Sequence, residues 1–180
     1  MTDATSRTVY AGRHLSMHVR GHWEYAARNT ASPAVGIVAL TSTGCVVLVE
    51  QHRPPVDCRV LELPAGLSRD LAEHASETLL EAAQRELLEE TGYAADRWTE
   101  LVSGYSSPGL TDESITLFLA EGLHRQGTGG GDHSENITVH EVPLHNVLSW
   151  LKQRGAMADL KLLAGLFAAS EHLRQHPDAP

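Results

Sequence analysis

Long apolar runs are missing from this 180-residue chain. Its longest stretches, such as Ala34 to Leu40 and Cys45 to Val49, fall far short of the roughly 18 to 20 residues that a membrane-spanning helix needs. No membrane partner is expected. Positive charge is also scarce: 14 Lys and Arg stand against 23 Asp and Glu, and the formal charge of −9 opposes binding to a phosphate backbone. Nucleic acid is therefore not an expected partner either. The two cysteines, Cys45 and Cys58, have no second cysteine two to four residues away and lie among valines. They read as buried reduced thiols and not as zinc ligands or a redox pair. Met1 to Gly12 contain no apolar stretch of the kind a secretory signal carries, so the expected compartment is the cytoplasm. Aromatic residues number only nine, which makes a tryptophan on a polar segment conspicuous.

The 42% of hydrophobic residues is enough for the core of one domain of this size. Eleven histidines are present, and His14, His18, His22 and the pair His172, His176 recur every four residues as helical zinc ligands can. The zinc-protease pattern also needs Glu directly after the first His, where this chain has Leu15, Val19 and Leu173, so these read as solvated histidines.

Hydrophobic periodicity orders the chain as follows. Leu15 to Arg20 and Trp23 to Arg28 alternate about Gly21-His22, which predicts an antiparallel hairpin. Val35 to Leu40 and Cys45 to Glu50 are near-continuous apolar runs around the turn Ser42-Thr43-Gly44, as expected of strands in a sheet covered on both faces. Arg59 to Leu63 adds a strand that ends at Pro64-Ala65-Gly66. From Glu77 to Thr91 the period becomes helical, with Leu80, Ala83 and Leu87 on one face, Ser76 as the N-cap and Gly92 as the stop. Leu101 to Tyr105, Ile115 to Ala120 and Ile137 to Val142 read as strands, and Leu144 to Gln153 and Ala156 to His176 as helices. Gln126 to His133 holds four of the 15 glycines and is expected to be a flexible surface loop. The division expected is a β segment over 1–32, used for dimerisation, followed by one α/β domain over 33–180.

The chemistry is concentrated on the first helix. At 100° per residue Glu86 and Glu90 lie one turn apart on one exposed face, with Glu89 beside them. Like charges at i, i+4 destabilise a bare helix by a few tenths of a kcal/mol, and a cation is the simplest compensation. Oxygen ligands and a phosphate-bearing substrate suit Mg²⁺ or Mn²⁺. Arg-Glu-x-x-Glu-Glu-x-Gly arises by chance in a chain of this length on the order of once in ten thousand.

Glu77, seven residues, then Arg85-Glu86-Leu87-Leu88-Glu89-Glu90-Thr91-Gly92-Tyr93 resembles the box of the Nudix hydrolases. The pattern departs upstream, where ten residues and not five separate Gly66 from Glu77. The resemblance implies an α/β/α sandwich with a mixed sheet and an N-terminal β hairpin. It also implies metal ligation by Glu86, Glu90 and the backbone carbonyl of Ala65, with Glu89 and Glu77 adding ligation or orientation. Arg85 would hold the carboxylates by charge-assisted hydrogen bonds.

Three further segments are similar to the ADP-ribose pyrophosphatases within that family. Ser107-Pro108-Gly109-Leu110-Thr111-Asp112-Glu113 resembles their Ser-Pro-Gly segment, with Pro108 sixteen residues past Gly92, which assigns Pro108 and Gly109 to substrate binding. Val49-Glu50-Gln51-His52-Arg53-Pro54-Pro55 and Leu61-Glu62-Leu63-Pro64-Ala65-Gly66 resemble a strand and turn whose arginine, here Arg53, contacts substrate phosphate, a role that suits the guanidinium fork. Trp23-Glu24-Tyr25-Ala26-Ala27-Arg28 resembles an N-terminal strand whose tryptophan stacks on adenine across a dimer, with Arg28 as a further substrate ligand. Simple dimer packing is the alternative for Trp23. The resemblance also places a general base on the loop after the glycines, best matched by Glu135, with Asp132 and Glu141 in reserve. The implied reaction is metal-dependent hydrolysis of ADP-ribose to AMP and ribose 5-phosphate by a homodimer. GDP-mannose or ADP-glucose is the alternative substrate, and a non-catalytic ADP-ribose sensor the alternative class.

Overall fold

The computed structural model describes residues 5–30, 32–69, 76–131 and 136–176. Strands β1 (Arg7–Ala11), β2 (Leu15–Arg20) and β3 (Trp23–Arg28) form a three-stranded antiparallel sheet in that order. The hairpin β2–β3 is the one its alternation predicts. The extra strand β1 is exposed along its whole length, so no apolar face marks it in the sequence.

A second, eight-stranded sheet follows, made by β4 (Ala34–Leu40), β5 (Cys45–Arg53), β6 (Cys58–Glu62), β7 (Ala65–Leu67), β8 (Tyr93–Tyr105), β9 (Ser114–Arg125), β10 (Thr138–Pro143) and β11 (Met157–Ala158). It is mixed: β4 with β9 and β11 with β6 are parallel, and the other pairs are antiparallel. Residues 46–47 of β5 pair with both β10 and β4, and residues 49–50 pair with both β10 and β6. A residue can bond one neighbour on each side, so β4 and β6 share the same edge of β5 and must diverge from each other. The chain crosses the gap at Leu63-Pro64 and rejoins β4 as β7, whose Gly36↔Ala65 pairing lies beyond the contact of β4 with β5. A cleft opens at this divergence.

Each face of the sheet is covered. On β4, Val35, Ile37 and Ala39 join Val47, Phe118 and Ala120 beneath α1 (Leu79–Thr91), whose Ala82, Ala83 and Leu87 are buried there. The alternate residues Val38 and Leu40 join Leu48, Leu61 and Leu119 on the other face, beneath α2 (Val147–Arg154) and α3 (Leu160–Gln175). Two covered faces explain why β4 and β5 read as unbroken apolar runs. The α/β/α sandwich with an N-terminal hairpin is therefore the architecture of this chain.

Several element boundaries depart from expectation. The N-cap of α1 is Thr78, not Ser76: its hydroxyl accepts from the Glu81 amide while the Glu81 carboxylate accepts from the Thr78 amide, a reciprocal capping box. Leu80 stays exposed, and Leu79 packs beneath the helix in its place. Strand β8 begins at Tyr93 because a ladder with β9, bulged between Glu100 and Val102, holds its polar first half. The last helix begins at Leu160, where the Asp159 side chain caps it. Both cysteines are half-buried instead of fully buried, being at the start of β5 and of β6.

Candidate functional site

A cavity of about 790 Å³ occupies the cleft between the diverging strands. Its walls come from β4, β5, β6, β7 and β9, with α1 on one side and the start of α3 on the other. Among the residues singled out from sequence, Arg28, Arg53, Ala65, Glu86 and Glu90 line it together.

Helix α1 supplies the carboxylates. The Glu90 side chain is 3% exposed, and its Oε2 accepts a hydrogen bond from the Ala65 amide at 3.0 Å. The Glu86 carboxylate lies against Gly66, where an added Cβ would fall 1.9 Å from it. A side chain at position 66 would displace that carboxylate. The face carrying Glu86 and Glu90 is thus turned onto β7 and is not the solvated face that helical spacing alone suggests. Glu89 does face outward, its side chain 54% exposed.

Arg85 ties this group together. Its Nε donates to Glu77 Oε1 at 2.9 Å, its Nη1 to Glu86 Oε1 at 2.7 Å and to Glu89 Oε2 at 3.2 Å, and its Nη2 to the Leu67 carbonyl at 3.0 Å. The hydrogen bonds to Glu77 above all, outweighing the cost of burial, raise the guanidinium further above its already high pKa. They also settle where Glu77 lies: despite the longer connection after Gly66, Arg85 draws it back to β7. Among the described residues no three carboxylate, imidazole or thiol groups already form a closed ligand cluster. The donor set is nevertheless all oxygen, three carboxylates on one guanidinium with Glu90 beside them on the same helix, which fits a hard divalent cation.

The same cavity also carries paired cations. Arg53 donates to Glu62 through Nε at 2.8 Å and Nη2 at 2.5 Å, and Gln51 Nε2 reaches Glu62 at 3.4 Å. Arg28 donates to Glu113 Oε1 through Nε at 2.9 Å and Nη2 at 2.6 Å, while the Ser106 hydroxyl donates to Glu113 Oε2 at 2.9 Å. Burial pushes the Glu113 carboxyl up, but the hydrogen bonds from Arg28 and Ser106 outweigh it and hold the group below the usual carboxylate range. At the start of α3, Lys161 pairs with Asp159, and both line the cavity. Glu62, Glu113, Asp159 and Lys161 were not singled out from sequence. Glu62 and Glu113 do stand inside the segments that drew attention to Arg53 and Pro108, whereas nothing local marks Asp159 and Lys161.

Other expected residues lie elsewhere. Trp23, 57% exposed at the start of β3, does not line the cavity. Pro108 and Gly109 are exposed in the turn between β8 and β9. That turn meets β3, with the Ala26 amide donating to the Leu110 carbonyl at 2.9 Å, so it helps to place Arg28 and Glu113. Glu141, on β10, accepts from the Tyr93 hydroxyl at 2.5 Å. Glu135 and Asp132 lie outside the described residues. Gln126 to Gly131 are not a loose loop: their amides at 126, 127, 130 and 131 donate to carbonyls at the end of α1.

Comparison with known proteins agrees with this geometry. The chain is 36% identical over 122 residues to the methanol dehydrogenase activator of Bacillus methanolicus. It is 37% identical over 122 residues to the ADP-ribose pyrophosphatase of Bacillus subtilis (strain 168). Each match covers 67% of this chain and 63% of the relative, so the chain spans less than two thirds of the length of these relatives. A crystal structure described as an ADP compounds hydrolase superposes with a TM-score of 0.75 over 96% of this chain and 93% of the other. At 23% identity that likeness concerns the fold. The sequence model of the NUDIX domain matches residues 30–166, a span that runs from β4 through the carboxylate helix into α3. With its sandwich, its box on α1 and the cleft between β4 and β6, the chain belongs to the NUDIX domain family.

Proposed function

We propose that this chain hydrolyses the pyrophosphate bond of ADP-ribose, giving AMP and ribose 5-phosphate, with Mg²⁺ or Mn²⁺ as the cation. The observation that carries the reading is that one cavity is lined by two kinds of group, the Glu86 and Glu90 carboxylates and the Arg28 and Arg53 guanidiniums. A diphosphate needs both, a cation site for its oxygens and guanidinium forks for its charge. The volume of about 790 Å³ lies in the range of small-molecule sites and leaves room for a nucleotide sugar. The name of the Bacillus subtilis relative points the same way.

Members of the family generally use divalent metals. Glu86, Glu90 and the Ala65 carbonyl would hold the cation, with Glu89 and Glu77 as further ligands or orienting groups and Arg85 fixing the carboxylates. Bound there, it offsets phosphate charge and makes water a better nucleophile. Arg53 and Arg28 bind and orient the two phosphates. The oxygen of water bonds to one phosphorus, the bridging P–O bond breaks, and the proton of the water passes to Glu135. Trp23 stacks on the adenine bound in the partner of a homodimer built through residues 1–32, and the Pro108-Gly109 turn supports that contact. No described helix is long and apolar enough to cross a membrane, and the cytoplasm is the proposed compartment.

The test is a panel of ADP-ribose, ADP-glucose and GDP-mannose incubated with Mg²⁺ or Mn²⁺, with nucleoside monophosphate release measured for each. ADP-ribose should be turned over with the highest kcat/KM. Preference for a guanosine sugar would replace the substrate, and no turnover of any compound would remove the enzymatic reading.

A further inference from the structure

Helix α1 ends in four carbonyls that it cannot satisfy itself, those of Leu88, Glu89, Glu90 and Thr91. Every one of them has a partner. The Gly92 amide donates to Leu88 at 2.8 Å, the Gly131 amide to Glu89 at 3.0 Å, the Gly130 amide to Glu90 at 2.8 Å, and Arg125 Nη1 to Thr91 at 3.2 Å. Gln126 and Gly127 add two bonds to the Gly92 carbonyl, at 3.0 and 3.1 Å. Two of the four capped carbonyls therefore belong to the residues whose side chains are assigned to the cation.

The approach is close enough to demand glycine. Gly129, at φ +67°, sits so near the helix that an added Cβ would lie 2.4 Å from the Thr91 carbonyl carbon and 2.7 Å from the Gly92 nitrogen. Gly92 stands in the reciprocal position, its Cβ direction filled by the Gly127 carbonyl oxygen at 2.4 Å. By contrast, a Cβ on Gly127 would meet nothing nearer than Leu88 Cδ1 at 3.4 Å. The last turn also needs such support. Carboxylates near a helix C-terminus are opposed by the helix dipole, so the turn bearing Glu89 and Glu90 is the one that electrostatics would fray.

We infer that Gly129, with the amides of Gly130 and Gly131, is a positioning element for the cation site: by clasping the end of α1 it fixes the backbone from which Glu89 and Glu90 project. This rests on the reading of α1 as the metal-binding helix. The glycine run is thus a docking surface and not a flexible surface loop.

The experiment measures Mn²⁺ affinity of the free protein by electron paramagnetic resonance, alongside the melting temperature, for three variants. Gly129→Ala cannot keep the clasp. Gly44→Ala carries the same kind of strain, at φ +76° with nothing within 4 Å, in the β4–β5 turn away from the site. Gly127→Ala adds a methyl group to the clasp where it fits. Gly129→Ala should bind Mn²⁺ about 10- to 100-fold more weakly, the usual effect of losing an outer support of a metal site. The other two should bind as wild type does, even where Gly44→Ala melts as low as Gly129→Ala. Equal affinity of Gly129→Ala and wild type overturns the inference and leaves the metal reading standing. A wild-type protein that binds no Mn²⁺ removes the metal reading, and the inference with it.

Should Gly129→Ala not fold, wild type decides by hydrogen exchange. Coupling between the clasp and the cation is reciprocal, so saturating Mn²⁺ should slow exchange of the Gly130 and Gly131 amides. Unchanged exchange at these two amides overturns the inference.

Discussion

Replacing Glu90 by Gln separates its structural role from its proposed chemical one. The side chain is 3% exposed, and its Oε2 holds the Ala65 amide at 3.0 Å. An amide oxygen keeps that acceptor. The bond changes from charge-assisted to neutral, a loss of about 1 kcal/mol. Against this, removing one buried charge from a group of carboxylates relieves desolvation and repulsion of similar size. Without metal, the melting temperature of Glu90→Gln should therefore stay within about 2 to 4 °C of wild type, the shift that 1 kcal/mol produces in a chain of this length. With metal the two proteins should part. At a Mn²⁺ concentration of about 100 times the wild-type Kd, binding stabilises wild type by about 2.7 kcal/mol, whereas a variant binding 100-fold more weakly gains about 0.4 kcal/mol. The difference corresponds to a gap of about 5 to 9 °C that EDTA abolishes. Thermal melts with EDTA and with Mn²⁺, joined to single-turnover hydrolysis, give both quantities. Hydrolysis should fall by several orders of magnitude. A Glu90→Gln protein that is stabilised by Mn²⁺ as much as wild type, or that cleaves at a similar rate, would falsify the assignment of Glu90 to the cation.

The remaining predictions concern the base, the tryptophan and acid stability. Glu135→Gln should slow single-turnover hydrolysis by about 10² to 10⁴ while Mn²⁺ and substrate titrations stay as in wild type; loss of Mn²⁺ binding instead would make Glu135 a ligand, and an unchanged rate would move the role to Asp132 or Glu141. Trp23→Ala should raise KM for ADP-ribose more than it lowers kcat, since stacking on a base contributes about 1 to 3 kcal/mol of uniform binding. An unchanged KM in a protein that light scattering shows to be monomeric would give Trp23 to the interface alone. Glu113, held below the usual carboxylate range in the folded protein, stabilises the fold above its unfolded pKa, and that contribution is lost as pH falls through its lower folded value. Urea denaturation should therefore show wild type losing stability below about pH 4 more steeply than Glu113→Gln, and parallel pH profiles would contradict the Arg28–Glu113 pairing.

Local pattern determined a good deal of this protein. Strands β2 to β5 and the carboxylate helix follow from periodicity, because a residue's face along a strand or helix is set by its place in the repeat; the α/β/α arrangement is what the resemblance implies. The ordered box from Glu77 to Gly92 likewise shows which side chains carry charge on one helix. Tertiary structure alone decided what that face meets. Helical spacing puts Glu86 and Glu90 on a common face, but only the return of β7 onto β4 turns that face inward, burying Glu90 against the Ala65 amide and pressing Glu86 onto Gly66. Strand β1 and the first half of β8 were hidden for the opposite reason: their partners are supplied by other strands, and their own side chains are exposed in β1 and at most half-buried in the first half of β8. Lys161 and Asp159 reach the cavity only because α3, far beyond the box in sequence, packs back across the sheet. The glycines of 127–131 show the limit most plainly. Composition says that such a run can be flexible, whereas its conformation is decided by the carbonyls of Glu89, Glu90 and Gly92, more than 30 residues earlier in the chain, which require hydrogen-bond donors.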